Sequence, residues 1–95
     1  MSIKRITEFE AAENKSKDLY DLLVSVKEFI LNSNGIISCE VLTEEETLNK
    51  FIVIEEWKSK EDHQNSLKNY PPEKMQAAMS LIAAPPKGKY FKTNY

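Results

Sequence analysis

The fold is decided by residues 35–61, which read GIISCEVLTEEETLNKFIVIEEWKSKE. The apolar positions of 36–42 and 48–57 predict two strands, and the acidic, polar segment 43–47 between them predicts a turn. Two strands so close in sequence favour an antiparallel hairpin. The centre of the later strand, residues 51–54, is apolar at both alternating positions, which is typical of a strand covered on both faces.

A strand and a helix precede this hairpin. Residues 3–11 alternate imperfectly between apolar and polar, and they predict the first strand. The next segment predicts a helix because apolar side chains recur there at helical spacing: Leu19, Leu22, Leu23, Val26, Phe29 and Ile30. Asn14 or Ser16 can cap the start of this helix. Asn34-Gly35 can end it, since both residues tolerate the left-handed backbone of a helix C-terminus.

The chain after the hairpin predicts a helix in two parts and a last strand. Ser59 begins the first part, and Asp62 follows three residues later as a loose capping box. Pro71-Pro72 interrupts the helix, and Pro85-Pro86 ends its second part. The second part has an apolar side formed by Met75, Ala78, Met79 and Ile82. The aromatic segment 90–95 predicts the last short strand.

The predicted order β-α-β-β-α-β is the ferredoxin-like arrangement, an α+β fold with an antiparallel four-stranded sheet. A chain of 95 residues forms one domain over 1–95. Helices cover one face of such a sheet, so the strand 48–57 needs a second cover. A domain of this size buries only about 60–65% of its unfolded surface. We therefore expect a homodimer packed sheet to sheet, with Tyr90 and Tyr95 in the contact.

Composition and charge exclude several classes of partner. Thirteen basic residues face fifteen acidic ones, a net charge of −2, with no basic stripe for nucleic-acid phosphates. The two glycines, Gly35 and Gly88, form no phosphate-binding loop for ATP or NAD. No apolar run approaches the ~20 residues of a membrane span, and no signal-peptide pattern follows Met1. We expect a cytoplasmic protein that binds neither nucleic acid nor membrane.

Metal and disulfide chemistry is not expected either. Cys39 and His63 are the single cysteine and histidine, and no metal-ligand spacing surrounds them. Cys39 has no basic neighbour, which favours a buried, inert thiol. Glu40 and Glu55 lie in predicted strands, where an inward carboxylate is costly unless it is paired. Both are expected to face solvent or to pair across the hairpin or the dimer.

The chain resembles the antibiotic biosynthesis monooxygenase family of dimeric α/β barrels over essentially its whole length. Gly35 opens the second strand, the apolar third strand ends in Glu-x-Trp at Glu55-Glu56-Trp57, and Ser59 and Glu61 follow at the helix start. The resemblance implies a homodimer and, in some members, oxygenation without metal or flavin. In that chemistry an electron-rich phenol or quinol, once deprotonated, itself reduces O₂. The protein binds the flat substrate, excludes water and manages one proton.

Two positions depart from the family pattern. Members commonly carry a histidine nine residues after the Trp, where this chain has Ser66. His63 lies one helical turn earlier and can face the same side. The haem-degrading branch needs a histidine in the later helix and an asparagine in the first strand, where this chain has Met79 and Thr7. Haem degradation is therefore disfavoured, and no cofactor is expected.

His63 is the candidate catalytic residue because its usual pKa lies near neutrality, so it can accept a substrate proton. The alternative is a hydrogen-bonded histidine at the margin of the core. Four side chains are candidates for substrate contact: Trp57, Tyr20, Leu67 and Met79. Trp57 and Met79 have a structural alternative, as a core anchor and as core filling.

Two functions fit these features. One is a small homodimeric monooxygenase that oxidises an aromatic or quinol-like molecule with O₂ and without a bound cofactor, with His63 near Trp57 as its site. The other is a non-catalytic dimeric module that binds a small apolar ligand. The missing histidine at position 66 and the lack of a second clear acid or base favour the module. A fold alone does not separate the two, since function depends on the site.

Overall fold

The computed structural model describes residues 2–92 and 94, which form strands and helices in the order β-α-β-β-α-α-β. Their bounds are β1 Ile3–Glu10, α1 Ser16–Leu31, β2 Ile36–Thr43, β3 Lys50–Trp57, α2 Lys60–Asn69, α3 Pro72–Met79 and β4 Lys87–Phe91. The predicted division of the later helix at Pro71-Pro72 is confirmed, because Pro72 occupies the first turn of α3.

The four strands form one antiparallel sheet in the order β2-β3-β1-β4. Ile54 of β3 lies opposite Ile6 of β1 and opposite Glu40 of β2, so β3 has a partner on each side. Tyr90 of β4 lies opposite Arg5 on the other edge of β1. The predicted ferredoxin-like α+β fold and the predicted hairpin of β2 and β3 are therefore confirmed.

The core lies on the helix side of the sheet. Alternate residues of β3 point there and are buried: Phe51, Val53, Glu55 and Trp57. They meet the apolar stripe of α1, of which Leu19, Leu23 and Ile30 are buried. The side chains between them on β3, such as Ile52 and Ile54, are half-buried on the opposite face. One carboxyl group, that of Glu55, thus faces a core that is otherwise mostly apolar.

The start of α2 is held by a cap and by a glycine. The hydroxyl of Ser59 accepts a hydrogen bond from the backbone N–H of Asp62 at 3.1 Å, as the capping pattern predicts. Gly35, which leads the chain from α1 into β2, has a φ of 87° that favours glycine. The Asp62 side chain fills the space that a Cβ on Gly35 would need. These contacts place the next residue, His63, over the sheet.

The last strand differs from its prediction. The sequence predicts a strand over 90–95, but β4 is Lys87–Phe91. Residues 87–91 pair with residues 4–8 of β1. This pairing, and not the aromatic content, determines where β4 begins and ends. Tyr95 lies outside the described residues.

Candidate active site

A cavity of about 350 Å³ lies between the helix side of the sheet and the three helices. Most of its wall is apolar and includes Phe9, Leu22, Val26, Phe29, Met75 and Ile82. Six side chains with polar or charged groups also line it: Arg5, Thr7, Glu55, His63, Ser66 and Tyr70. Mostly apolar walls with a few placed polar groups are typical of small-molecule sites.

A larger groove of about 520 Å³ lies at the far end of the sheet. Its charged side chains, among them Glu44, Lys50 and Lys87, are all exposed to solvent. Exposed charges of both signs are ordinary surface features, whereas a buried titratable group needs a specific environment. The inner cavity is therefore the better candidate site.

Glu55 is the centre of the polar end of the cavity. Its Oε1 accepts a hydrogen bond from the indole N–H of Trp57 at 2.9 Å and lies 3.9 Å from Nε2 of His63. The exposed fractions are 6% for Glu55, 4% for His63 and 0% for Trp57. The indole also packs edge-on against the imidazole, with ring centroids 5.6 Å apart. A separation of 3.9 Å is too long for a direct hydrogen bond.

Tyr90 orients His63 from the other side. Its hydroxyl makes a hydrogen bond with Nδ1 of His63 at 2.6 Å, and the two rings pack edge to face. The guanidinium of Arg5 and the ammonium of Lys60 lie 4.7 Å and 4.8 Å from the centre of the Tyr90 ring. Cations near an aromatic face are attracted by its electrons. Tyr90 and its two cations therefore hold the imidazole in one orientation.

Arg5 lines the cavity from β1. Gly88 of β4 has no side chain, and the Arg5 guanidinium occupies the space that a Cβ there would need. Within residues 2–92 and 94, the basic side chains within 4.0 Å of a carboxylate are Lys17, beside Asp21, and the neutral His63, beside Glu55. Arg5 therefore places a positive charge in the cavity wall, and no carboxylate of those residues lies within 4.0 Å of its guanidinium.

Burial sets the protonation of the pair formed by Glu55 and His63. Burial lowers the pKa of His63 to about 4, and the charge of Arg5 acts in the same direction, so the imidazole is neutral at pH 7. Burial raises the pKa of the Glu55 carboxyl above its usual value of 4.5, against the Trp57 hydrogen bond and the Arg5 charge. Glu55 is therefore the more basic member of the pair.

Residues 2–80 match the family model described as antibiotic biosynthesis monooxygenase. The chain belongs to the antibiotic biosynthesis monooxygenase family. The resemblance carried by the hairpin and the Glu-x-Trp segment is thereby confirmed. No curated protein sequence matches the chain.

Several solved structures share the fold of the chain. A Nitrosomonas europaea protein described as a candidate antibiotic biosynthesis monooxygenase is 15% identical, with a TM-score of 0.90 over 99% of this chain and 91% of its own. SnoaB of Streptomyces nogalater, a cofactor-independent oxygenase, is 13% identical, with a TM-score of 0.84 over 99% and 94%. A conserved Methanosarcina mazei protein is 17% identical, with a TM-score of 0.88 over 99% and 94%.

The structure places three of the five predicted site residues on the cavity wall. These are His63, at its polar end, and Leu67 and Met79, which are 49% and 57% exposed and lie at its mouth. Trp57 is outside the lining, buried behind Glu55. Tyr20 is also outside it and packs against Phe51, with ring centroids 6.1 Å apart. Tyr20 follows the buried Leu19 by one residue, which turns it about 100° around α1.

Glu55, Tyr90 and Arg5 are site residues that the sequence did not reveal. The expectation that Glu55 faces solvent or pairs across a hairpin or dimer is wrong, because it shares the inward parity of Val53 and Trp57. Tyr90, expected in a dimer contact, points to the helix side with Arg5, and its hydroxyl contacts His63 there. The alternation of side chains along each strand is the sequence feature that could have indicated the inward direction of Glu55 and Tyr90.

Other predicted features concern metal, thiol and membrane. In the part of the chain that the structure describes, no three His, Cys, Asp or Glu residues could hold a metal ion together. Cys39 is buried there, and its pKa is raised to about 11 by burial and by the charge of Glu55, so the thiol stays protonated. Among residues 2–92 and 94, the helices are too short or too polar to span a membrane.

Proposed function

We propose that the protein is a monooxygenase that oxidises a phenol- or quinol-like aromatic molecule with O₂ and without a bound cofactor. The observation that carries the proposal is the buried pair of Glu55 and His63 at the end of a mostly apolar cavity. A flat aromatic substrate suits the apolar wall, and the pair can handle the proton of its hydroxyl group. SnoaB, which has the same fold, is a cofactor-independent oxygenase.

The reaction balances without an external reductant. Loss of the hydroxyl proton makes the substrate an electron-rich anion that can transfer electrons to O₂. One oxygen atom enters the ring as a carbonyl, at a carbon that carries two hydrogens in the keto form. The other oxygen atom leaves as water with those two hydrogens, and the substrate supplies all four electrons. The protein needs to bind the substrate, exclude water and move protons, which the described residues can do.

Oxygen consumption with a panel of dihydroxynaphthalenes and anthrones tests this function. We expect at least one panel member to consume O₂ faster than its autoxidation, with one ¹⁸O atom from ¹⁸O₂ in the product and one in water. The matched control is the same panel with the His63→Ala variant at equal concentration. Wild-type protein that leaves every panel member at the autoxidation rate would contradict the proposal.

The alternative is a non-catalytic module that binds a small apolar ligand. It is favoured by the position nine residues after Trp57, where Ser66 makes a hydrogen bond with Ser33 at 3.2 Å and offers no group that titrates near neutrality. Such a module would bind the panel members in the cavity without consuming O₂. The oxygen measurement therefore separates the two functions.

We also propose that a second copy of the chain covers the sheet face opposite the helices, called the outer face here. Its apolar side chains are Ile6, Leu42, Ile52, Ile54 and Phe91. Leu42 and Phe91 are 44% and 48% exposed in the single chain. The apolar side chains lie among charged side chains such as Glu8, Glu40 and Lys89. Exposed apolar side chains gathered on one face mark an interaction site, and obligate dimers commonly bury about 2,000 Å² or more.

Light scattering at micromolar concentration is expected to give a mass near twice 11.0 kDa. Ile54→Lys places a charge in the middle of the outer face and is expected to shift the mass toward that of one chain. Leu31→Lys, at an exposed site on α1, is the matched control and should leave the mass unchanged. A wild-type mass of one chain would exclude the dimer.

A further inference from the structure

We infer that Glu55 is the catalytic base of the proposed reaction, and that His63 and Arg5 bind the oxyanion that forms when the substrate hydroxyl loses its proton to Glu55. This inference rests on the proposed function and assigns a role to each charged or titratable group at the polar end of the cavity. It reverses the role expected of His63, which becomes a hydrogen-bond donor rather than the proton acceptor.

The first support is the gap between Glu55 and His63. Oε1 of Glu55 and Nε2 of His63 are 3.9 Å apart, and both residues line the cavity. One oxygen atom can lie about 2.8 Å from each of these two atoms. A substrate hydroxyl in that position donates its proton to Glu55 and accepts a hydrogen bond from His63. One hydroxyl oxygen can therefore bridge the two atoms from the cavity side, off the line that joins them.

The second support is the hydrogen bond that fixes the imidazole. Nδ1 of His63 is 2.6 Å from the Tyr90 hydroxyl, and that hydroxyl has no other partner among the described residues. We assign the Tyr90 O–H as the donor to Nδ1 and the imidazole proton to Nε2, facing Glu55. The other tautomer would aim the Nε2 lone pair at a carboxylate. Nε2 is thus a donor to the substrate oxygen.

The third support is the charge balance of the cavity. Arg5 contributes one positive charge to the wall, and the ionised Glu55 contributes one negative charge. In the proton transfer the substrate O–H bond breaks, an O–H bond forms on Glu55, and the electron pair stays on the substrate oxygen. The negative charge moves from Glu55 to that oxygen, and the total charge is unchanged. An apolar cavity solvates extra charge poorly, so a transfer without net charge is favoured.

Charged or titratable groups face Glu55, directly or through a neighbouring side chain, from the elements packed against it. These groups are Arg5 of β1, Cys39 of β2, His63 of α2, Tyr90 of β4 through His63, and Lys27 of α1 through Cys39. Cys39 is neutral at pH 7 because its pKa is raised to about 11, and His63 is neutral because its pKa is lowered to about 4. The rate is expected to rise with pH as Glu55 ionises, at a pKa above the usual 4.5.

Kinetics of matched variants test the assignment. Glu55→Gln keeps an acceptor for the Trp57 N–H but cannot take a proton, and it should lower kcat/KM by roughly 10²- to 10⁴-fold. Glu28→Gln, on the exposed side of α1, should leave kcat/KM unchanged. His63→Gln keeps an N–H donor and should retain more activity than His63→Ala. The inference would be overturned if the wild-type protein turns over a substrate and Glu55→Gln keeps a kcat/KM within about tenfold of the wild-type value.

A binding measurement decides the question even without turnover. The probe is para-nitrophenol, whose anion absorbs visible light, at a pH below its solution pKa. Wild-type protein should bind it as the anion without releasing a proton, because Glu55 retains that proton. In Glu55→Gln, each bound anion should release one proton, which a pH indicator detects. In Arg5→Gln, the pKa of the bound probe should rise by about one unit or more.

Two outcomes of the binding measurement would overturn the inference. One is a wild-type complex in which the probe stays neutral or does not bind. The other is equal proton release by wild type and Glu55→Gln. Failure of the oxygen panel alone would overturn the monooxygenase proposal instead, since the probe measurement needs no O₂. The two proposals therefore fail separately.

Discussion

His63→Ala is expected to lower the rate of O₂ consumption by roughly 10²- to 10³-fold, the usual loss when one donor to a developing oxyanion is removed. The imidazole is 4% exposed and lines the cavity next to Glu55, so alanine removes one of the two groups that bind the oxyanion and leaves Arg5. Steady-state oxygen electrode measurements on the best substrate of the panel give the ratio. The melting temperature and the mass by light scattering show whether the variant keeps its fold and assembly.

The pH profile provides a further check on His63. Because its pKa is lowered to about 4, the imidazole is uncharged between pH 5 and pH 8. The wild-type rate should therefore show no inflection that belongs to the imidazole, and the inflection of Glu55 should persist when His63 is replaced. Tyr90→Phe removes the hydroxyl that fixes the tautomer and should give an intermediate loss of rate. An inflection near 6.5 that vanishes in His63→Ala would show that the imidazole itself takes the proton.

Trp57→Ala is expected to cost about 3–5 kcal/mol of the free energy of unfolding. Trp57 is fully buried, and its N–H is the hydrogen-bond donor to the buried carboxyl of Glu55. Domains of this kind have a total stability of only about 5–15 kcal/mol, so the loss should be plain in a urea unfolding curve. Leu48→Ala, at a site 65% exposed, is the control and should change stability by less than about 0.5 kcal/mol.

Trp57→Phe separates the hydrogen bond from the volume of the ring. Burial raises the pKa of Glu55 in the folded protein, so its ionisation destabilises the fold as pH rises through that pKa. The Trp57 N–H opposes this effect, because it favours the carboxylate. The cost of Trp57→Phe should therefore be larger at pH 7 than below pH 4.5, where Glu55 is protonated. A cost that does not change with pH would mean that the hydrogen bond does not stabilise the carboxylate.

The site combines a pliable mouth with a rigid polar end. Leu67 and Met79 at the mouth are about half exposed, and α3 has no buried residue. Glu55 and Trp57 are instead held in the central strand of the sheet, and His63 is held by Tyr90. Catalytic groups need fixed positions, whereas flexible methionine side chains can adapt to substrates of different outline. This arrangement suits the proposed enzyme, which would hold the hydroxyl oxygen of the substrate in a fixed position and its remaining rings less tightly.

Local pattern was sufficient to predict the elements and the fold class. The apolar stripe of α1, the hairpin within residues 35–61 and the break at Pro71-Pro72 each follow from side-chain spacing and backbone chemistry within a short segment. Those signals are strong because burying one face of a helix or strand depends on periodicity more than on the identity of distant residues. The same segment carried the family resemblance that the match over residues 2–80 confirmed.

The composition of the site depended on contacts between residues far apart in the chain. Glu55 is tolerated inside because Trp57, His63 and Arg5 surround it, and only the packing of α2 and β1 against β3 brings the last two there. Tyr90 reaches His63 because the register between β4 and β1 points it inward. Strand alternation allows each side chain two directions, and the pairing of the strands with the helices above them selects one. A carboxylate that the sequence places at the surface can therefore be buried when other elements bring partners such as Arg5 and His63 to it.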